Sequence, residues 1–443
     1  MEITAGGETP QRKLSLFDST CLAVGIIIGV GIYETAPAVA RGMPSDLAVL
    51  GIWALGGILS MAGALCYAEL AGAYPRAGGD YVYLTRAYGG WAGYLFAWAQ
   101  TFVIRPGDIA LLAFVFGGYA RTFGGPFAHS RVLNASVAVA ALTAINILGV
   151  REGKWTQNLL TTVKAVGLLG VVAAALAAPA SHGTVDDGST EIAWGGAGLS
   201  LILVLFTFGG WSEVAYVAAE VKDPGRNIVR SVVLGIASVT GLYVLVNGAF
   251  LYSLGRAGMG ASDAVAVDAV RRALPQAASF AIALLVGISA LGSINGLVLT
   301  GARITYAMGA DHGAFRLVGR WDPRSGTPIR ALLLQGVLGI AMILLLESFD
   351  KTILYTAPAV WAFFLATGLS VFVLRRKEPD VPRPYRVVGY PVTPIVFCGC
   401  SVLMIYSSVS YAVSKGTLAP LVSGAIILAG LPAYGLSRLR RPR

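Results

Sequence analysis

The sequence predicts an all-α polytopic membrane protein with twelve transmembrane helices in two related halves, and three observations carry that expectation. Apolar residues make up 56% of the 443 positions and charged residues only 13%, against roughly a quarter charged in an ordinary soluble domain. The chain also divides into about twelve apolar segments, each close to the 20 residues that a helix needs to cross hydrocarbon. Finally, two of these segments, five apart, are interrupted by clustered glycines.

Taken in order, the spans begin near Leu16, Leu47, Trp91, Val132, Asn158, Leu199, Ser231, Ala277, Ile329, Ile353, Pro391 and Leu418. An even number of crossings places both termini on one side, and short-loop Lys/Arg decide which side that is. Arg76, Arg86, Arg151, Lys154, Lys222, Arg226, Arg230 and the cluster Arg375, Arg376, Lys377 all fall on the side of the N-terminus, so both termini are expected in the cytoplasm. The expected organisation is a cytoplasmic tail over 1–15, spans 1 to 5 over 16–178 and spans 6 to 10 over 195–374, then spans 11 and 12 over 390–438 and a C-terminal tail over 439–443. The opening MEITAGGETPQRKLSLFD is too acidic and polar for a signal-peptide n-region, so the first apolar run is expected to remain.

The first span reads GIIIGVGIYETAPAVA, with Gly25, Gly29, Gly31 and then Pro37; the sixth reads LVLFTFGGWSEVAYVAAE, with Gly209 and Gly210. A helix broken in lipid leaves backbone groups unpaired at several kcal/mol each, so breaks are tolerated only inside protein or beside a cavity. Breaks at corresponding positions of two five-helix halves match an inverted repeat with a binding site where the breaks meet. Close helix packing explains a lone glycine but not clusters at matching positions.

The same residues exclude other classes. The formal charge of +10 comes from loops between apolar runs rather than from a basic surface for nucleic acid. Cys21, Cys66, Cys398 and Cys400 lie inside apolar segments without metal-ligand spacing, and His129, His182 and His312 sit in loops with no nucleophile or metal motif. No enzyme chemistry, metal or cofactor is expected. Nothing suggests the repeated rings of a channel.

Several stretches then resemble one family. WALGGILSMAGALCYAELAGAYPRAGGDYVYLTRAYG (53–89), EVKDPGRNIVRS after span 6, GSINGLVLTGARITYAM in span 8 and LRRKEPDVPRPYRVVGYPVTP between spans 10 and 11 are similar to hallmarks of the amino acid–polyamine–organocation (APC) superfamily. VIRPGDIALLAFVFGGY and AINILGVREGKWTQNLLTTVKAVGLL resemble its L-type amino acid transporter-like branch. The resemblance covers nearly the whole chain in the family's order. It implies the leucine-transporter-type fold, a five-plus-five inverted repeat with discontinuous helices 1 and 6 plus two further helices. It also implies a secondary active transporter, a permease or exchanger, moving L-amino acids across the plasma membrane by alternating access.

Family knowledge puts the substrate carboxylate on the amides of the helix 1 break and the amine on carbonyls at the helix 6 break. Helix N-termini carry partial positive charge and free donors, and C-termini the opposite, so a zwitterion suits that pair of ends. Carried onto this chain, the carboxylate site is Ile28, Gly29, Val30 and Gly31, and the amine site lies near Phe206, Thr207 and Phe208. Where the family usually has Ser or Thr between the glycines, this chain has Val30. Phe206 matches an aromatic that closes over substrate, Asn295 is a further candidate contact, and a core role stays open for each, as for Trp211 and Trp361. Glu34 either lines the outer vestibule or meets headgroups.

Lys164 matches a family lysine whose ammonium occupies the place of a sodium ion in sodium-coupled relatives. It implies sodium-independent transport, with a lysine brace between helices 1 and 5 and an opening for proton coupling; snorkelling to the interface is the alternative. Arg105 and Asp108 lie at i and i+3 in span 3 and could pair on one face. Asp108 is then either half of a neutralised brace or a selector of cationic side chains beside the substrate pocket. Neutral amino acids are the leading substrate class. A cationic amino acid or polyamine transporter, or a non-transporting amino acid sensor on the same scaffold, remains as the alternative. Animal branch members join a single-span glycoprotein through an external-loop cysteine, which this chain lacks, so no disulfide-linked partner is expected. The implied partners are an amino acid and the lipid bilayer.

Overall fold

The computed structural model describes residues 10–128, 130–177, 194–346, 349–414, 416 and 418–439. Among them, nine helices are long and apolar enough to cross a membrane, or ten if one bent pair counts as a single span, with two shorter apolar helices besides. No strand is present among the described residues beyond two isolated bridges.

The bent pair is the first span. Helix α1 (Leu16–Ile27) and α2 (Gly31–Gly42) meet at 51° across Ile28–Val30. Ser15 caps α1 and accepts from the Asp18 amide while Asp18 returns a bond to the Ser15 amide, the reciprocal box that fixes a helix start. Then follow α3 (Asp46–Ala73), the short α4 (Asp80–Tyr88) and α5 (Gly90–Ala99). A π-turn over Gln100–Ile104 joins α5 to α6 (Arg105–Ala120), which keeps Pro106 within one continuous span because a proline at a helix start loses no bond. Next come α7 (Arg131–Leu148) and α8 (Val150–Ala177).

The sixth span is also interrupted. Helix α9 (Trp194–Thr207) ends in a turn over 208–212, and the four-residue α10 (Glu213–Tyr216) follows. Gly210 has φ +109° there, a value that glycine adopts at no steric cost. Beyond lie α11 (Pro224–Ala261), α12 (Val265–Arg271), α13 (Ala278–Asp311), α14 (Ile329–Leu346), α15 (Phe349–Lys377), α16 (Val392–Ser414), α17 (Ala419–Leu428) and α18 (Gly430–Leu439).

Helix ends fall within a few residues of the apolar runs except at α8 and α11. The fifth span starts at Val150 rather than near Asn158 and the seventh at Pro224 rather than near Ser231, because their first two turns are polar and hydropathy does not see them. Residues 1–9 and 440–443 of the expected tails, and His129 and His182, lie outside the described residues. Helix α13 is the most enclosed, with 83% of its apolar window buried, and α1, α6, α8 and α10 pack around it.

Candidate functional site

The two interrupted spans touch at their breaks. A Cβ on Gly31 would come within 2.9 Å of Thr207 Oγ1, and one on Gly210 within 2.6 Å of Ile26. Thr35 Oγ1 lies 3.1 Å from Thr207 Oγ1, tying α2 to α9. Ile28–Gly31 and Phe206–Phe208 are therefore neighbours, though some 175 positions separate them in sequence.

Their backbone groups divide unevenly. The Ile28 amide donates to Val24 O and the Gly29 amide to Ile27 O, at 2.9 and 2.7 Å, so these two are engaged within the chain. Among the described residues no acceptor stands opposite the amides of Val30, Gly31 and Ile32, which open α2. The free donors thus lie further along the chain than Ile28 and Gly29, because the tight turn ending α1 uses those two amides. At the other break the Phe206 carbonyl accepts from the Gly209 amide at 3.0 Å, while the Thr207 and Phe208 carbonyls receive no bond from described residues.

The carbonyl end of α1 is held by side chains. Lys164 Nζ donates to Gly25 O at 2.5 Å, Ile28 O at 2.8 Å and Ser289 O of α13 at 3.1 Å. Tyr243 Oη donates to Ile27 O at 2.9 Å. Because α8 starts at Val150, Lys164 lies about 21 Å along it at 1.5 Å per residue, deeper than the apolar run implies. It is fully buried and does not snorkel.

The other candidates separate. Phe208 is buried against Trp53 and Tyr243, whereas Phe206 is 39% exposed. On a 100° wheel Phe206 points between the face carrying Thr207, toward α2, and the face carrying Leu205, which packs on Trp361 of α15. Trp211 packs among Tyr67, Phe364 and Phe397, and Trp361 against Phe364; both are core aromatics.

Asn295 is fully buried, and its amide is engaged throughout. Its Oδ1 accepts from Asn146 at 2.8 Å, and its Nδ2 donates to Gln157 Oε1 at 2.9 Å and Gly153 O at 3.2 Å. The geometry makes it a brace joining α7, α8 and α13, with both side-chain amide hydrogens committed within the protein.

The expected Arg105–Asp108 pair does not form. Arg105 Nη2 donates to Glu213 Oε1 at 2.9 Å, Nε donates to Gln100 Oε1 at 3.0 Å, and the guanidinium lies over the Tyr216 ring. Glu213 Oε2 also accepts from Thr300 at 2.5 Å. Asp108 faces Thr356 instead and is only partly buried. Outward on α6, Tyr119 donates to the exposed Glu34 of α2 at 3.3 Å. A second buried pair, Glu220–Arg303, is bidentate at 2.8 and 3.0 Å. Both acids stand in GGWSEVAYVAAE, and an acid within an apolar stretch is a signal that could have found them.

Among the described residues no cluster of His, Cys, Asp and Glu could hold a metal ion. The free cysteines are buried at 21 and 66 and half-buried at 398 and 400.

The chain is 31% identical to the b(0,+)-type amino acid transporter 1 of Mus musculus, covering 96% of this chain and 88% of that protein. It is 30% identical to its Homo sapiens counterpart at the same coverage. The Large neutral amino acids transporter small subunit 2 of Mus musculus is 30% identical over 97% of this chain and 82% of its own length. The amino acid permease family model matches residues 14–431. This multi-pass membrane protein therefore belongs to the amino acid permease family, whose members are transporters and not enzymes.

Proposed function

We propose that the chain is a secondary active transporter that moves L-amino acids across the plasma membrane by alternating access, with both termini cytoplasmic and twelve spans in a five-plus-five inverted repeat. The observation that carries this reading is the pairing of opposite free ends. Unengaged amides of Val30, Gly31 and Ile32 open one helix, and unengaged carbonyls of Thr207 and Phe208 follow another where the two breaks touch. The amides bind the carboxylate, the carbonyls bind the ammonium, and Phe206 closes over the bound molecule.

Neutral amino acids are the substrate class that this backbone pair supports, since it uses only the groups every amino acid shares. A second reading, that cationic amino acids are also carried, is favoured by Arg105: its engagement with Glu213 leaves Asp108 without the neutralising partner that the sequence offers. Lys164 occupies the place a cation would take beside the α1 carbonyls, which supports sodium-independent transport. The chain works without a disulfide-linked partner, in keeping with cysteines at 21, 66, 398 and 400 that all lie within helices.

The test is uptake of labelled leucine into proteoliposomes, with and without internal amino acid and with sodium or choline outside. Accelerated uptake against internal amino acid, unchanged by sodium, is expected. Substrate binding without uptake identifies a sensor instead.

A further inference from the structure

Helix α11 begins with cations that nothing in the chain neutralises. Arg226, Arg230, Val233, Ala237 and Gly241 follow one another at spacings of three and four and so share one face of it. Arg226 and Arg230 are exposed, and among the described residues no carboxylate lies within ion-pair distance of either. The same face runs on into a groove of about 600 Å³ between α3, α11 and α16, lined by Ile58 and Leu65, Ala237 and Gly241, and Val392 and Val396. No charged residue lines it. Its two hydroxyls are satisfied within their own segments, Thr240 donating to Ile236 O at 2.7 Å and Thr393 to Val388 O at 2.6 Å.

The loop between α15 and α16 closes the charged end of this groove. A Cβ on Gly225 of α11 would come within 2.8 Å of Pro384, and the Val387 amide donates to Glu69 Oε2 of α3 at 2.6 Å. Between these two anchors Arg386 is exposed, also without a carboxylate in ion-pair distance. Glu69 is already neutralised by Arg375 and Arg383. Against the exposed Asp223 at the α11 cap stand Lys222, Arg226, Arg230 and Arg386, so the corner is net positive. Ala237 lies about 16 Å beyond Arg226 along the helix at 1.5 Å per residue, and one leaflet supplies about 15 Å of hydrocarbon, half of the core thickness. Cations at the mouth and an apolar trough one leaflet deep together match the two parts of a phospholipid.

We propose that this groove binds an anionic phospholipid from the leaflet on the side of the N-terminus, its phosphate on Arg226, Arg230 and Arg386 and one acyl chain between α3, α11 and α16. Basic residues at helix ends attract anionic headgroups, and burial of the chain adds the hydrophobic share. A zwitterionic lipid brings its own cation to the arginines and gains less. A free phosphate leaves the trough unused. The binding is non-covalent and does not depend on which amino acid is carried; in the orientation proposed above, the leaflet is the cytoplasmic one.

The test uses the purified full-length protein, stripped of lipid in detergent and titrated with phosphatidylglycerol or phosphatidylcholine of the same acyl chains, with bound lipid counted by native mass spectrometry. Wild type should prefer phosphatidylglycerol by at least about tenfold. Arg226→Gln/Arg230→Gln, at two exposed positions, should lose that preference. Arg151→Gln, which removes an exposed arginine at the start of α8 on the same side, should keep it. Ala237→Phe fills the trough and should weaken phosphatidylglycerol binding by at least about tenfold with the arginines intact. Glycerol phosphate, a headgroup without a chain, should not compete. Equal retention of the two lipids by wild type, an undiminished preference in the double variant or an equal loss in Arg151→Gln overturns the proposal. Undiminished binding by folded Ala237→Phe, or competition by glycerol phosphate, overturns it as well, and if Ala237→Phe does not fold the arginine variants decide alone. No readout here uses amino acid flux, so the transport reading stands or falls separately.

Discussion

The two breaks solve the same physical problem in opposite ways. In the first span the carbonyl end of α1 is saturated by Lys164 and Tyr243, reaching in from α8 and α11, while the amide end of α2 is left open. In the sixth span the carbonyl end of α9 is left open, and the segment beyond carries its own acids to partners elsewhere, Glu213 to Arg105 and Glu220 to Arg303. An open helix end inside a membrane protein needs a partner. One break offers donors and the other acceptors, which is why a zwitterion, rather than a simple anion or cation, is the proposed ligand.

Cutting the tether of the second break should have the largest effect. Arg105→Met leaves Glu213 buried beside Thr300 without its cation, and breaking a buried pair costs about 3–5 kcal/mol. Thermal unfolding in detergent should show a strongly destabilised single variant, with Arg105→Met/Glu213→Gln partly restored because no unpaired charge remains. Equal loss in the single and double variants would mean that the pair does not hold this break.

The first break should respond to Lys164→Met with lost transport more than lost fold. Each carbonyl deprived of its donor costs about 1–3 kcal/mol, and about 1.4 kcal/mol is tenfold in an equilibrium, so uptake should fall at least about tenfold. Full activity in this variant, or sodium-stimulated uptake in the wild type, would detach the lysine from the role proposed for it. The glycines sharpen the same point. A Cβ at Gly31 meets Thr207 Oγ1 at 2.9 Å, but one at Gly29 finds nothing nearer than Ser293 Oγ at 3.7 Å. Gly31→Val should therefore abolish leucine binding, measured by scintillation proximity, with overpacking of about 1–3 kcal/mol, and Gly29→Ala should retain it.

Much of this contrast was legible in the sequence, and what was not has a common cause. Clustered glycines five spans apart marked both breaks, because irregular backbone at that depth admits few explanations. A lysine within an apolar run marked Lys164. The partner of Arg105 was not legible: Asp108 is three positions away and Glu213 more than a hundred. Local spacing favours the near acid, yet the π-turn over Gln100–Ile104 and the packing of α10 on α13 bring the far one into contact. Asn295 hid for the same reason, since its partners Asn146 and Gln157 belong to α7 and α8. The free amides fell at Val30 to Ile32 because the hydrogen bonds closing α1, not the glycine spacing, decide which donors remain.

The smallest expected effect is the one that separates the two substrate readings. Asp108 makes no direct ion pair with the cation three residues away, which is committed to Glu213. It is partly exposed, on the stripe of α6 that leads outward to Tyr119 and Glu34, so the described charged groups along that stripe are acidic. Two unit charges 4 Å apart interact by about 1 kcal/mol in water and about 4 kcal/mol near a protein surface, and partial exposure puts Asp108 toward the lower figure. Lysine should therefore compete with labelled leucine in the wild type and lose up to about tenfold in Asp108→Ser, while unlabelled leucine competes equally in both. The difference should shrink as salt rises, because screening weakens exposed pairs first. Identical lysine and leucine competition in the two proteins would return Asp108 to a purely structural part beside Thr356 and leave neutral amino acids as the whole substrate class.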